Sequence, residues 1–163
     1  MKTSDLNSII QKLFKHKLTV AFAESCTAGA LAAEMAKGFG SSEVLLGSVV
    51  TYHVQAKQKL LGVRKDTLEL YTAESQQVTN EMVMGLHKQL PAEICVAVTG
   101  LCGGGASETP EKPPGTLFFT ILHEQKAEEY REVFKGNCAA IRKQAVDFVF
   151  TKLGELADRH PLQ

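Results

Sequence analysis

The stretch Val20 to Gly29, VAFAESCTAG, decides how this chain is read. An apolar run stops at Glu24 and Ser25, and a pattern of small, helix-compatible residues begins. That describes a buried strand leading into a helix, with Ser25 at the junction. A side chain there stands beyond the carboxyl end of a strand, facing the free N–H groups of a helix start. Two roles fit. Ser25 is either a nucleophile, with main-chain donors near Cys26 and Thr27 holding an oxyanion, or a helix N-cap, a position that favours serine. Cys26 is a rival nucleophile whose side chain turns away by one position. A serine nucleophile needs a base, and the histidines (His16, His53, His87, His123 and His160) are scattered. The GxSxG pattern is absent, so the base is sought elsewhere.

Working outward, Leu6, Ile9, Ile10, Leu13 and Phe14 recur at helical spacing after Ser4 and Asp5. They predict an opening amphipathic helix. Leu18 to Ala23 reads as the buried strand, and Thr27 to Lys37 as an alanine-rich helix ending at Gly38 and Gly40. Val44 to Tyr52 is the next strand, followed by a short helix from Gln55 to Leu61 that stops near Gly62. A further helix begins after Thr72 or Ser75 and runs to about Leu90, with Pro91 beyond it. Ile94 to Val98 is a short apolar strand, and Gly100 to Gly115 a long Gly/Pro loop of a length usually kept for function. Leu117 to Leu122 and Tyr130 to Phe134 read as two strands joined by HEQKAEE, before a last helix from Asn137 to Leu156. Strands alternating with helices, then a hairpin and a helix, predict three α/β/α layers on a mixed, roughly five-stranded sheet.

Composition bounds what such a domain can be. The 163 residues form one unit, residues 1–163, large enough to bury a core without disulfides or a structural metal. Lys plus Arg equal Asp plus Glu at 18 each, which leaves no basic stripe for nucleic acid. Cys26, Cys95, Cys102 and Cys138 are widely spaced, without CxxC or a Cys/His ligand cluster, and read as reduced thiols of a cytoplasmic protein. The amino terminus is too polar for a signal peptide, and no apolar run approaches the roughly 18 residues of a membrane span.

In an open α/β sheet, ligands sit beyond the carboxyl ends of the strands. The segments after Ala23, Val50 and Val98 therefore converge on one crevice, bringing together Glu24 and Ser25, Tyr52 and Lys57, and Thr99 with the glycine-rich LCGGG. A desolvated lysine can be neutral enough to take a serine proton, so Lys57 is the candidate base unless it is a solvated helix lysine. Tyr52 either orients Lys57 or packs at the strand end. Their spacing misses the YxxxK of short-chain reductases, and no GxGxxG follows the first strand. Gly103, Gly104 and Gly105 can form an anion nest or a plain flexible loop. Arg142 and Lys143, early in the last helix, could grip a phosphate.

Taken in order, AESCTAG, TYHVQAKQKLLGV, VTG, KPPGT and FKGNCAAIR span nearly the whole chain. The set resembles the carboxyl-terminal domain of the competence/damage-inducible CinA family, which includes nicotinamide-nucleotide amidases. The resemblance implies a three-layer fold with a five-stranded mixed sheet, and hydrolysis of nicotinamide mononucleotide to nicotinate mononucleotide and ammonia without metal or organic cofactor. It implies that Ser25 is the nucleophile of the family's ESCTGG, and that Tyr52 and Lys57 are the Tyr and Lys of TYSNEAK. It places Thr99 and Arg142 at the substrate site and makes a homo-oligomer plausible; Glu24, Cys26, Thr27, Gly100, Gly103 and Gly104 complete the expected substrate-binding set. Three segments depart from the pattern: GIAGPGG reads GLCGGGA, TYSNEAK reads TYHVQAK, and GDR reads GNC at Gly136 to Cys138. The expected partner is a small mononucleotide, with neither nucleic acid nor membrane. A nucleotide-binding module that has lost catalysis, and a hydrolase of another small amide, are the competing expectations.

Overall fold

The computed structural model describes residues 1–103 and 105–160. Helix α1 (Thr3–Lys15) leads into β1 (Val20–Glu24), α2 (Ala30–Met35), a 3-10 turn (Ser41–Glu43) and β2 (Leu45–Val50). Helices α3 (Val54–Leu61), α4 (Lys65–Tyr71) and α5 (Gln76–Gln89) follow. The chain closes with β3 (Ile94–Gly100), β4 (Thr116–His123), β5 (Lys126–Val133) and α6 (Cys138–Asp158). The sheet order is β2-β1-β3-β4-β5, with β1 parallel to both β2 and β3 and the remaining pairs antiparallel.

The period of two along the central strands sorts the layers. Val20, Phe22, Ile94, Val96, Val98 and Phe119 face α1, α2 and α6 in the larger core. The alternate residues Ala21, Ala23, Cys95 and Ala97 are small, and they face Val78, Met82, Val83 and Leu86 of α5. Bulk on one face and small side chains on the other let α5 sit close to the sheet. The expected three-layer α/β/α arrangement on a mixed five-stranded sheet is what the chain adopts.

Local differences from the sequence reading have local causes. Helix α1 begins at Thr3 behind Lys2, so Ser4 and Asp5 lie inside its first turn rather than capping it. Helix α4 was not anticipated. The antiparallel hairpin is longer than expected because β4 and β5 are joined by two residues only, Glu124 (φ 50°) and Gln125 (φ 62°). Left-handed φ at both positions gives a type I′ turn, which ordinarily announces itself as Asn-Gly. The charged residues of KAEE are strand residues on the exposed edge of the sheet.

The predicted helix from Thr27 is the correction that bears on function. Ala28 (φ 52°) and Gly29 (φ 93°) are left-handed, so the helix begins only at Ala30. Its amino-terminal amides are capped from behind. Glu24, fully buried, accepts hydrogen bonds from the N–H groups of Gly29 (3.0 Å), Leu31 (3.0 Å) and Ala32 (3.1 Å) and from Ser48 Oγ (2.9 Å).

Candidate active site

Because Glu24 caps α2, Ser25 is not a helix cap. It sits on a tight turn just past the end of β1, where its N–H still pairs with Val98 O at 3.1 Å. One strand over, the N–H of Thr51 bonds Glu24 O at 2.7 Å, so the parallel register continues past β2 and carries the following helix toward Ser25. Helix α3 is capped by His53, whose Nδ1 accepts from the N–H of Gln55. It ends in a left-handed glycine, Gly62 (φ 68°). That start places Lys57 on the buried side of α3, 1 % exposed.

Lys57 Nζ lies 2.8 Å from Ser25 Oγ and donates to the carbonyl of Thr51, also at 2.8 Å. Among the described residues no carboxylate forms a salt bridge with it. Burial holds its pKa below the ordinary lysine range, with Glu74 and Cys26 pulling weakly the other way. A lowered amine, oriented by one carbonyl and aimed at a serine oxygen, is an arrangement for proton removal.

The turn also supplies donors. Among the described residues, neither Cys26 nor Thr27 spends its main-chain N–H on a protein acceptor, while Ala28 N–H returns to Ser25 O and Ala30 N–H to Thr27 O. The Cys26 carbonyl is held by Arg142 Nε at 3.0 Å and by Cys102 Sγ at 3.7 Å. In a trans peptide the next N–H points the opposite way, so anchoring that carbonyl fixes where the Thr27 N–H is aimed. Among the described residues, two buried hydroxyls, Thr27 Oγ1 and Thr51 Oγ1, have no hydrogen-bond partner. Buried polar groups are rarely left so; Thr27 follows Ser25 by two residues, and Thr51 is the residue whose carbonyl holds Lys57. Thr51 was missed by the sequence reading, for it carries no motif; its carbonyl does the orienting expected of Tyr52.

The other expected residues distribute unevenly. Tyr52 is 66 % exposed and is not what holds Lys57. The Glu24 carboxylate is consumed by the amides of α2 and by Ser48, so it shapes the turn rather than meeting a ligand. Thr99 is buried, and its hydroxyl donates to Ala73 O at 3.0 Å. Gly100 is required by close approach: a Cβ there would stand 2.5 Å from Thr116 O. Gly103 is exposed at the loop surface, and Gly104 lies outside the described residues. The remainder of the loop is tied to the segment before α5, through Lys112 Nζ to Thr72 Oγ1 (2.9 Å) and Glu74 O (3.0 Å) and through Ser107 to the Glu74 carboxylate.

Both glycine-loop and helix departures bring a thiol to the Cys26 turn. Cys26 turns away from Ser25 into the core, where Cys102 donates to its carbonyl; Cys26, Cys102 and Cys138 are all free thiols. The hydrogen bond from Cys26, then the charge of Arg142, pull Cys102 down to about 7 against the opposing effect of burial. The same contact, together with burial, pushes Cys26 well up, so the thiol beside the serine is the poorer nucleophile. Asn137 caps α6 through Ala140 N–H at 2.9 Å, and Arg142 reaches Cys138 Sγ at 3.7 Å.

The model of the CinA C-terminal domain matches residues 3–157. The chain belongs to the CinA C-terminal domain family. A CinA-like protein of Petrotoga mobilis is 36 % identical over 155 residues, covering 95 % of this chain and 38 % of the relative. One from Thermotoga maritima is 40 % identical over 142 residues, covering 86 % of this chain and 34 % of its own length. The chain thus spans about two-fifths or less of these curated relatives. A crystallised CinA superfamily protein of Klebsiella pneumoniae superimposes with a TM-score of 0.90 at 32 % identity, covering 98 % of this chain and 100 % of its own. A competence/damage-inducible protein of Agrobacterium tumefaciens gives 0.83 at 29 % identity, with 91 % and 93 % covered.

Proposed function

We propose that this CinA domain is an amidohydrolase acting on the carboxamide of a pyridine mononucleotide, releasing ammonia and leaving the carboxylate. The observation that carries the reading is the buried Lys57 amine, its pKa lowered by burial, 2.8 Å from Ser25 Oγ. Family membership and the preserved AESCTAG and TYxxxAK elements support it.

Neutral Lys57 takes the hydroxyl proton as Ser25 Oγ attacks the carbonyl carbon. The main-chain N–H groups of Cys26 and Thr27 stabilise the oxyanion that forms. The Lys57 ammonium returns its proton to the departing nitrogen, the C–N bond breaks, and ammonia leaves a Ser25 acyl ester. A water molecule, deprotonated by Lys57, attacks that ester and restores the serine. Ribose and phosphate lie toward Thr99, the glycine loop and the part of Arg142 not committed to the Cys26 carbonyl.

The deciding measurement is ammonia and nicotinate mononucleotide release from nicotinamide mononucleotide by the purified protein. Release by the native chain and none by Ser25→Ala, with an unchanged circular dichroism spectrum, is the expected result. Equal release by both would remove Ser25 from the chemistry, and tight mononucleotide binding without release would leave a binding module. A panel of other small amides turned over faster would redirect the substrate.

Arg142 gives a finer test. Lysine cannot reproduce the planar fork that reaches both the Cys26 carbonyl and Cys138. Arg142→Lys is expected to lower kcat about tenfold with KM nearly constant, as misaimed oxyanion donors should. A rise in KM alone would mean that the guanidinium serves the phosphate and not the turn.

A further inference from the structure

At the opposite end of the sheet, His123 closes β4 against Ile94, the first residue of β3, whereas Ser25 lies beyond the last residues of the parallel strands. The seven residues of β3 separate the two ends by about 20 Å. His123 Nδ1 lies 2.9 Å from Glu93 O. A carbonyl oxygen can only accept, so Nδ1 carries the proton and Nε2 presents a lone pair. His160 Nε2 lies 2.9 Å from that same nitrogen, and Glu124 Oε1 lies 3.8 Å from it. All three ligand atoms fall within 4.8 Å of one another.

We propose that His123, His160 and Glu124 bind a divalent transition metal, zinc by preference, at a site separate from the serine–lysine pair and independent of its function. Two imidazoles and a carboxylate are a donor set suited to zinc. Without metal, the two Nε2 atoms must share a proton; the ion takes the place of that proton. Zinc–nitrogen bonds of about 2.0–2.1 Å in tetrahedral geometry need the nitrogens roughly 3.3 Å apart, an opening of a few tenths of an ångström. The Glu93 carbonyl is the outer partner that metal-bound histidines ordinarily have, fixing tautomer and ring orientation. Glu124 is held on the ligand side by a turn that does without Asn-Gly, its φ of 50° being a conformation L side chains avoid.

The surroundings leave room. The three residues line one cavity of about 380 Å³ together with Lys126, Glu128 and Arg159. Glu128 is paired with Arg159 at 2.6 Å, so Lys126 is the cation the site must tolerate. His16 lies beside His160, the rings tilted by 41° with centroids 6.0 Å apart, but it is outside the group of ligand atoms. The ion would tie the β4–β5 hairpin to the residue just after α6.

The test is cobalt and zinc titration of the full chain after treatment with a chelator. One equivalent of cobalt should give the weak visible bands of nitrogen and oxygen ligation, without the near-ultraviolet charge-transfer band of thiolates, and zinc should displace it. His123→Ala and His160→Gln should each weaken zinc binding at least tenfold. The half-exposed His160 lies outside the core, so its variant keeps the test valid if His123→Ala fails to fold. Absence of binding by the native chain, a thiolate band assigning the ion to the cysteines, or unchanged affinity in His160→Gln would overturn the proposal.

Discussion

Lys57→Met is expected to reduce ammonia release at least roughly a thousandfold and, at the same time, to raise the melting temperature. Loss of a general base alone removes about 10²–10⁴ of rate, and in the proposed mechanism the same amine also supplies the leaving-group proton. The stability gain follows from burial. An ammonium with no carboxylate partner is disfavoured beneath α3, and an apolar side chain of similar length removes that penalty. Against this stands the Thr51 carbonyl, which loses its donor. The balance is a gain of about 1–2 kcal/mol, or roughly 2–8 °C.

The effect has a defined pH dependence. The folded chain gives up the Lys57 proton below the pH at which the unfolded chain does, so native stability rises with pH between the lowered value and the ordinary lysine range. Below that interval the penalty is carried in full. The advantage of Lys57→Met should therefore shrink as pH rises through that interval, since methionine does not titrate. Activity of the native chain should rise over the same interval as neutral amine accumulates. Thermal melts of both proteins across a pH series check the first, and a kcat/KM profile the second. A variant that melts lower than the native chain would mean that Lys57 is held as a stabilised ammonium.

Glu24→Ala should have the opposite thermodynamic sign. It strips the acceptor from three main-chain amides and from Ser48 in a region closed to water. A loss of about 3–5 kcal/mol is expected, lowering the melting temperature by roughly 10 °C or more. Glu24→Gln keeps the shape but turns an NH₂ toward donors, and should fall between. Activity should fall in both even where the protein is folded, because the turn bearing Ser25 is fixed by the same carboxylate. An alanine variant melting within a degree or two of the native chain would disprove this account.

How far the sequence revealed these features depends on the kind of interaction. Short continuous apolar runs in VAFA and ICVAV located the central strands, and their carboxyl ends located the crevice, since buried strands are written in such runs. The partnership of Ser25 and Lys57 needed the family resemblance as well, because a buried lysine and a surface lysine look alike in sequence. The late start of α2 was not legible: nothing in SCTAG announces a left-handed alanine, and the reason for it, Glu24 reaching forward to three amides, is a tertiary fact. The Thr51 carbonyl was invisible for a related reason, being a backbone group. The β4–β5 turn escaped because Glu-Gln stands where Asn-Gly would signal it.

The hold of Arg142 on the Cys26 carbonyl orders events in time as well as in space. A ribosome delivers the serine and its lysine within the first half of this domain, long before α6 emerges. Until that last helix docks, the nascent polypeptide carries its reactive pair without the clamp that aims the turn. On the proposed reading, competence for turnover is thus withheld during synthesis and granted by the arrival of the final element.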